Sequence, residues 1–359
     1  MPTPNLPSDA SPRDGRARAV LSRLRAHMVG NVLIVGLALL MIYFSLASSA
    51  FWTISNLREI ALEGAILSIV AVPEALIILS GFVDLSVGSV LGLGGVVAGL
   101  VMTQTHAGTL VALLAGMGAG AAVGVINGVL CTYVGMSAIL VTLGTLTAVR
   151  GTTLLVTSLP IFGFGAGFDF LGVGQVAGIP VPVLFAAAAF LIGGVYLGLT
   201  PGGRHVYAIG VNREAAYLSG ISIRRLPFLL FILTGATAAF GGVLFAARLD
   251  SAPPGTLGVG FELTVLTAVL LGGVAFEGGR GSIFGVLLGV LFLGVLQNGL
   301  TLMNVTDFWQ QVASGCALIV AAGLDIVSSR ARVSSGGRRL RRISLRPAQS
   351  PPAGAAARR

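Results

Sequence analysis

IALEGAILSIVAVPEALIILSGFVDLSVGSVLGLGGVVAGLV, residues 60–101, decides the fold. A helix needs about 20 apolar residues to cross the hydrocarbon of a bilayer, so a run of this length crosses it about twice. Three acids interrupt the run: Glu63, Glu74 and Asp84. Asp84 stands near its centre, in SGFVDLSVGS (80–89), with Gly81 before it and Gly88 after it. Helices break at small residues inside a membrane only where protein or a cavity covers the freed backbone. The stretch therefore reads as two spanning helices joined at a polar break.

The rest of the chain agrees with this reading. Of its 359 residues, 55% are hydrophobic and 10% charged, its mean hydropathy is +0.94 and 52 residues are Gly. Soluble domains carry about 25% charged residues. A soluble core does not supply so many long apolar runs. Ten spans are expected, at 31–50, 59–80, 85–104, 108–132, 137–158, 180–199, 227–248, 262–276, 282–303 and 308–327, the eighth of them short. The fold class is an all-α polytopic membrane protein.

All 22 basic residues are Arg. Without Lys the chain carries neither a P-loop, whose Lys contacts phosphate, nor a Lys Schiff base. Cys131 and Cys316 lie in apolar stretches, and His27, His106 and His205 are far apart, so no metal-ligand spacing appears. No nucleophile elbow or zinc-protease motif is present. The expectation is a protein that is not an enzyme, with no metal and no cofactor of its own.

Charge sets the orientation. Residues 1–30 carry five Arg and two Asp, residues 328–359 carry nine Arg and no acid, and the 159–179 connection has only Asp169. The 200–226 loop carries Arg204, Arg213, Arg224 and Arg225 against Glu214. Positive loops stay in the cytoplasm. Both termini and the 200–226 loop are therefore expected there, flanking a membrane domain at 31–327, and an even number of spans agrees. Ala47-Ser-Ser-Ala50 could end a cleaved signal, but the preceding apolar run is long for one. The tails 1–30 and 328–359 lack apolar periodicity and are expected to be disordered. The Arg cluster at 336–342 (GGRRLRR) reads as a topology anchor or a contact with anionic lipid heads. Topology accounts for the basic charge, so nucleic acid is not an expected partner.

The break has an echo. Residues 84–95 read DLSVGSVLGLGG and residues 262–273 read ELTVLTAVLLGG. GVINGVL (124–130) and GVLQNGL (294–300) follow in the same order. Two matched pairs suggest halves of five spans each. Because five is odd, the halves run in opposite directions, a 5+5 inverted repeat of the kind transporters use.

Intramembrane polar groups are expensive and mark pathways or paired groups. The candidates are Asp84, Ser86, Ser89, Asn127, Arg150, Glu262, Gln297 and Asn298. Asp84 is expected to cap the third helix or to pair with Arg150. The alternative is an acceptor for a polar solute, and the two roles are compatible. The amides serve as packing links between helices or as ligand groups. Glu277 and Arg280, in Glu277-Gly-Gly-Arg280-Gly, read as a local ion pair fixing a tight turn.

At TPGGRHVYAIGVNREAAYLSGISIRRL (200–226) a resemblance becomes specific. The chain resembles the permease subunits of ribose-type ATP-binding-cassette importers, which also serve xylose, arabinose and galactose. SGFVDLSVGSVL (80–91), GVINGVL (124–130), ILVTLGT with Arg150-Gly151, GRHVYAIGVNREAAYLSGI (203–221), GVGFELTVLTAVLLGGVAFEGGRGS (258–282) and LQNGL (296–300) carry it. The resemblance implies a second permease subunit, a cytoplasmic ATPase subunit that holds ATP and Mg, and a periplasmic or lipid-anchored solute-binding protein. It also implies a bacterial inner membrane and a monosaccharide or similar solute. The segment 204–224 resembles the helix that docks on the ATPase, which points to Arg204, Asn212, Glu214, Ala215, Ala216, Gly220 and Arg224. Two features depart from the pattern. Phe82-Val83 stands where Gly-Ile is common, and Leu226-Pro227 comes soon after Gly220. An ion-gradient-driven transporter with inverted repeats is the rival expectation.

Overall fold

A computed structural model of the chain describes residues 33–105, 107–306 and 308–323. The tails, His27 and His106 lie outside the described residues. The helices are α1 (Leu33–Ala47), α2 (Ile54–Leu79), α3 (Val87–Leu100), α4 (Thr109–Gly128), α5 (Ala138–Val156), α6 (Ala166–Val173) and α7 (Val181–Leu199). They continue as α8 (Pro201–Val211), α9 (Arg213–Leu218), α10 (Arg225–Leu249), α11 (Phe261–Leu271), α12 (Ile283–Leu302) and α13 (Phe308–Gly323). π-helical turns at Val101–Thr105 and Val129–Val134 extend α3 and α4. Seven of these helices are long and apolar enough to cross a membrane, and α1, α11 and α13 are shorter apolar helices. An apolar helix stands at each of the ten expected spans, and the chain is an all-α polytopic membrane protein.

Local chemistry sets several helix starts. Thr53 accepts the Asn56 amide at the start of α2, and Ser282 accepts the Gly285 amide at the start of α12. The sides of α2 are buried along most of its length, so it forms the centre of the bundle. Its buried face meets α7, α10, α11 and α12. The long helix α10 packs on α3 and α4 in the same way that α2 packs on α11 and α12. The second helix of each half thus lies against the third and fourth of the other.

Small residues bring these helices close. A Cβ on Gly120 of α4 would run into the Gly235 carbonyl of α10, and one on Gly94 of α3 would stand 2.5 Å from the Ala239 Cα. In the other half, a Cβ on Gly272 would stand 2.5 Å from the Gly285 carbonyl. Without a hydrophobic drive between helices in lipid, such contacts carry the association.

Two regions hold more structure than the sequence suggests. The 159–179 connection contains α6 and a short antiparallel pair, β2 (Gln175–Val176) with β3 (Ile179–Pro180). Within the same connection and before α6, β1 (Ile161–Phe162) pairs with β4 (Ser251–Ala252), tying the two halves together beyond the end of α10. The 200–226 loop is two helices, α8 and α9. α9 ends at Leu218, short of the end of the 204–224 segment that resembles a docking helix, because Gly220 adopts φ +79 and closes the last turn. Leu226-Pro227 then falls in the first turn of α10, where Pro needs no amide partner.

Candidate functional site

A buried polar seam runs along the first turns of α3. Asp84 Oδ1 accepts the Ser86 amide at 2.9 Å and the Ser86 hydroxyl at 2.5 Å. Asp84 therefore closes a turn just before α3, whose N-cap residue Ser86 makes no side-chain capping bond. Its own amide donates to Glu74 Oε1 of α2 at 3.1 Å. Asn127 of α4 donates through Nδ2 to Ser86 Oγ at 3.0 Å and to the Asp84 carboxylate at 3.4 Å. Asn127 Oδ1 in turn accepts the Thr145 hydroxyl of α5 at 2.7 Å. Ser89 donates back to the Ser86 carbonyl at 2.9 Å. Glu74, Asp84, Ser86, Ser89 and Asn127 are all buried. One network thus links α2, α3, α4 and α5.

Arg150 is placed differently from one expectation. Its Nη1 donates to the Leu257 carbonyl at 2.6 Å rather than pairing with Asp84. The physical reason lies in α11. Eleven residues span about 16 Å of the roughly 30 Å hydrocarbon. The chain before α11 is irregular, and its freed carbonyls need donors at membrane depth. Arg150 reaches one of them past Gly92, where a Cβ would stand 3.0 Å from Nη1.

Glu262 does not copy Asp84. It sits inside the first turn of α11, whereas Asp84 precedes α3 by three positions. The two acids nevertheless converge on α3, because Glu262 lies over Gly88, where any Cβ would overlap its carboxylate. Glu262 Oε2, Glu74 Oε2 and Asn298 Oδ1 are buried without a hydrogen-bond partner in this arrangement. Gln297 of α12 reaches Ser314 of α13 at 3.5 Å. The seam carries unmet acceptors in both halves of the chain, on Glu74 in the first and on Glu262 and Asn298 in the second.

The second part of the site lies at the ends of α2 and α8. Gly279 donates its amide to the Leu79 carbonyl at 2.9 Å, and a Cβ on Gly81 would stand 3.9 Å from the Gly210 Cα. Three backbones therefore meet: the end of α2, α8 and the turn between α11 and α12. That turn is closed by backbone bonds, with Ala275 donating to Arg280 at 2.8 Å and Gly278 to Ala275 at 2.9 Å. Tyr207 of α8 donates to the Gly281 carbonyl at 2.9 Å. Burial pushes the Tyr207 phenol above its usual range, so it stays a neutral donor.

Asn212 caps α9 by accepting the Ala215 amide at 2.9 Å. Ala216 is buried, whereas Arg204, Glu214, Ala215 and Arg224 are exposed. Tyr217, Gly220, Ile221, Ser222, Ile223 and Arg224 line a cleft of about 550 Å³. Sequence reasoning missed Arg213, whose guanidinium lies 5.0 Å above the centre of the Phe82 ring. No motif marks that contact. The excess bulk of Phe82 was the available signal.

A bundle of apolar helices in exchanged halves, with a buried polar seam between them, is the architecture of a polytopic membrane protein. The family model described as "Branched-chain amino acid transport system / permease component" matches residues 56–322, and the chain belongs to this family. It is a transport protein and not an enzyme. The chain is 40% identical to the ribose import permease protein RbsC of Bacillus subtilis, over 81% of this chain and 91% of that one. It is 35% identical to the D-allose transport system permease protein AlsC of Escherichia coli, over 80% of this chain and 89% of that one. The L-arabinose ABC transporter permease protein AraH of Azospirillum brasilense is 36% identical, over 78% of this chain and 83% of that one. No solved structure matches the chain.

Proposed function

We propose that this chain is the permease subunit of an ATP-binding-cassette importer in a bacterial inner membrane. Its solute is a monosaccharide or a similar polyhydroxylated molecule. A solute-binding protein delivers that solute from outside. A separate ATPase subunit, holding ATP and Mg, supplies the work, and a second permease subunit completes the path. The single observation that carries the reading is the pairing of α8 and α9. They form an amphipathic element anchored by backbone contacts to α2 and to the α11–α12 turn, with a cleft beside it. A force applied at this element acts directly on the central helix. Three relatives whose names give a sugar cover most of the chain, which favours a sugar over an amino acid.

Alternating access needs two arrangements of similar energy, and each ligand shifts them only by its difference in affinity. Glu262 and Asn298, buried with an unmet acceptor, are the groups that gain partners in the other arrangement. The test is reconstitution of the chain with its ATPase and binding protein in proteoliposomes, followed by uptake of labelled ribose, allose and arabinose. Uptake is expected to require ATP inside and binding protein outside. Uptake by the chain alone, driven by an ion gradient, would show a secondary transporter instead. Glu214→Arg, on the exposed face of α9, is expected to cut ATP-driven uptake at least about tenfold, the scale of a misplaced interface charge, with insertion unchanged.

A further inference from the structure

We infer that Phe82 is a positioning residue, and that its contact with Arg213 transmits movement of α9 to the break between α2 and α3. The inference rests on the importer reading above. Phe82 is 8% exposed and lies two residues before Asp84. Its ring packs edge to face on the fully buried Phe231 of α10, with centroids 5.9 Å apart. The guanidinium of Arg213, the first residue of α9, lies 5.0 Å from the same ring centroid.

A cation at the start of a helix is opposed by the helix dipole. Arg213 therefore needs a favourable partner where it stands, and the ring supplies one. A cation over an aromatic face gains more as the ring is withdrawn from water, which is the condition of Phe82. The neighbouring contacts among Leu79, Gly81, Gly210 and Gly279 are made by backbone and belong to α8, not to α9. The Arg213–Phe82 pair is thus a side-chain link from α9 into the break. From Phe82 the chain reaches Asp84 in two residues, and Asp84 holds Glu74, Ser86 and Asn127. Displacing α9 moves Arg213. The ring follows its cation or loses it, and the start of α3 is rebiased.

The experiment uses the full assembly of permease, ATPase and binding protein in lipid. It reads the ratio of solute-stimulated to basal ATP hydrolysis, and the solute moved per ATP. Phe82→Leu and Arg213→Gln are each expected to lower the ratio about three- to tenfold, the scale of a partly desolvated cation–π contact. The double variant is expected to be no worse than either single one. Phe82→Tyr and Arg213→Lys, which keep a ring and a cation, are expected to retain the ratio. A full ratio in Arg213→Gln, or single losses that multiply in the double variant, overturns the inference. So does a loss in Arg213→Lys equal to that in Arg213→Gln. Absence of ATP-driven uptake by the wild-type assembly overturns the importer reading and this inference together. Normal wild-type uptake with an unaffected Arg213→Gln overturns this inference alone.

Discussion

Asn127 is the residue on which the first-half network turns, because it donates to Ser86 and Asp84 and accepts from Thr145. Truncating it leaves buried groups short of partners, at a cost of about 1–3 kcal/mol. Asn127→Ala is expected to lower the melting temperature in detergent. Asn127→Asp is expected to lower it further, because it adds a third carboxylate beside Asp84 and Glu74. Thr145→Val is expected to lower it least. A different rank in a thermal-shift series would remove Asn127 from the centre of the network. Arg150 makes a separate case. Arg150→Met strips the Leu257 carbonyl of its donor, and hydrogen exchange at 253–260 is expected to rise about tenfold, the effect of losing about 1.4 kcal/mol of local protection. The sequence marked Asp84, Asn127 and Arg150 because polar atoms in apolar runs stand out. It could not pair them, since the partner of Arg150 is a backbone carbonyl that carries no residue signature. Hydrophobic runs likewise say nothing about which neutral amide faces which acid.

Among the elements, α10 is the most informative. Its glycines and alanines meet those of α3 and α4 with backbone close to backbone. Gly120→Val is expected to destabilise the bundle by about 1–3 kcal/mol, typical of overpacking, and to reduce the yield of folded protein from membranes. Gly118→Val, two positions from Gly120 and with open space around it, serves as the control and is expected to be tolerated. The apolar elements were legible because spanning helices must be long and continuous in sequence. α6 and the strand pairs were not, because residues 160–180 are rich in Gly and short of periodicity. Tertiary contact holds them, with Gly172 pressed on the backbone of Ala247 and Arg248. α11 was legible as short, but the reason for its shortness, an irregular approach covered by Arg150, required the fold.

The whole molecule has a direction. The charge pattern predicts α9 in the cytoplasm and α6 outside. Phe170→Cys and Leu218→Cys, both at exposed positions, give a test in a background lacking Cys131 and Cys316. A membrane-impermeant thiol reagent is expected to reach position 170 in intact cells and position 218 only after permeabilisation. Labelling of both from one side would break the inverted arrangement of the halves. An ion pair at 2.5 Å between Glu59 and Arg248 joins α2 to α10 at the far end from α8. Movement at α8 is then read out around a fastened end. The place where α2, α8 and the α11–α12 turn meet is built mainly of Leu79, Gly81, Gly210 and Gly279 main chain, with the Tyr207 hydroxyl on the Gly281 carbonyl beside it. A bearing made of peptide groups has no residue chemistry to tune. Residues on the exposed face of α9 are therefore free to differ, while the hinge behind them keeps one shape and refuses only added bulk.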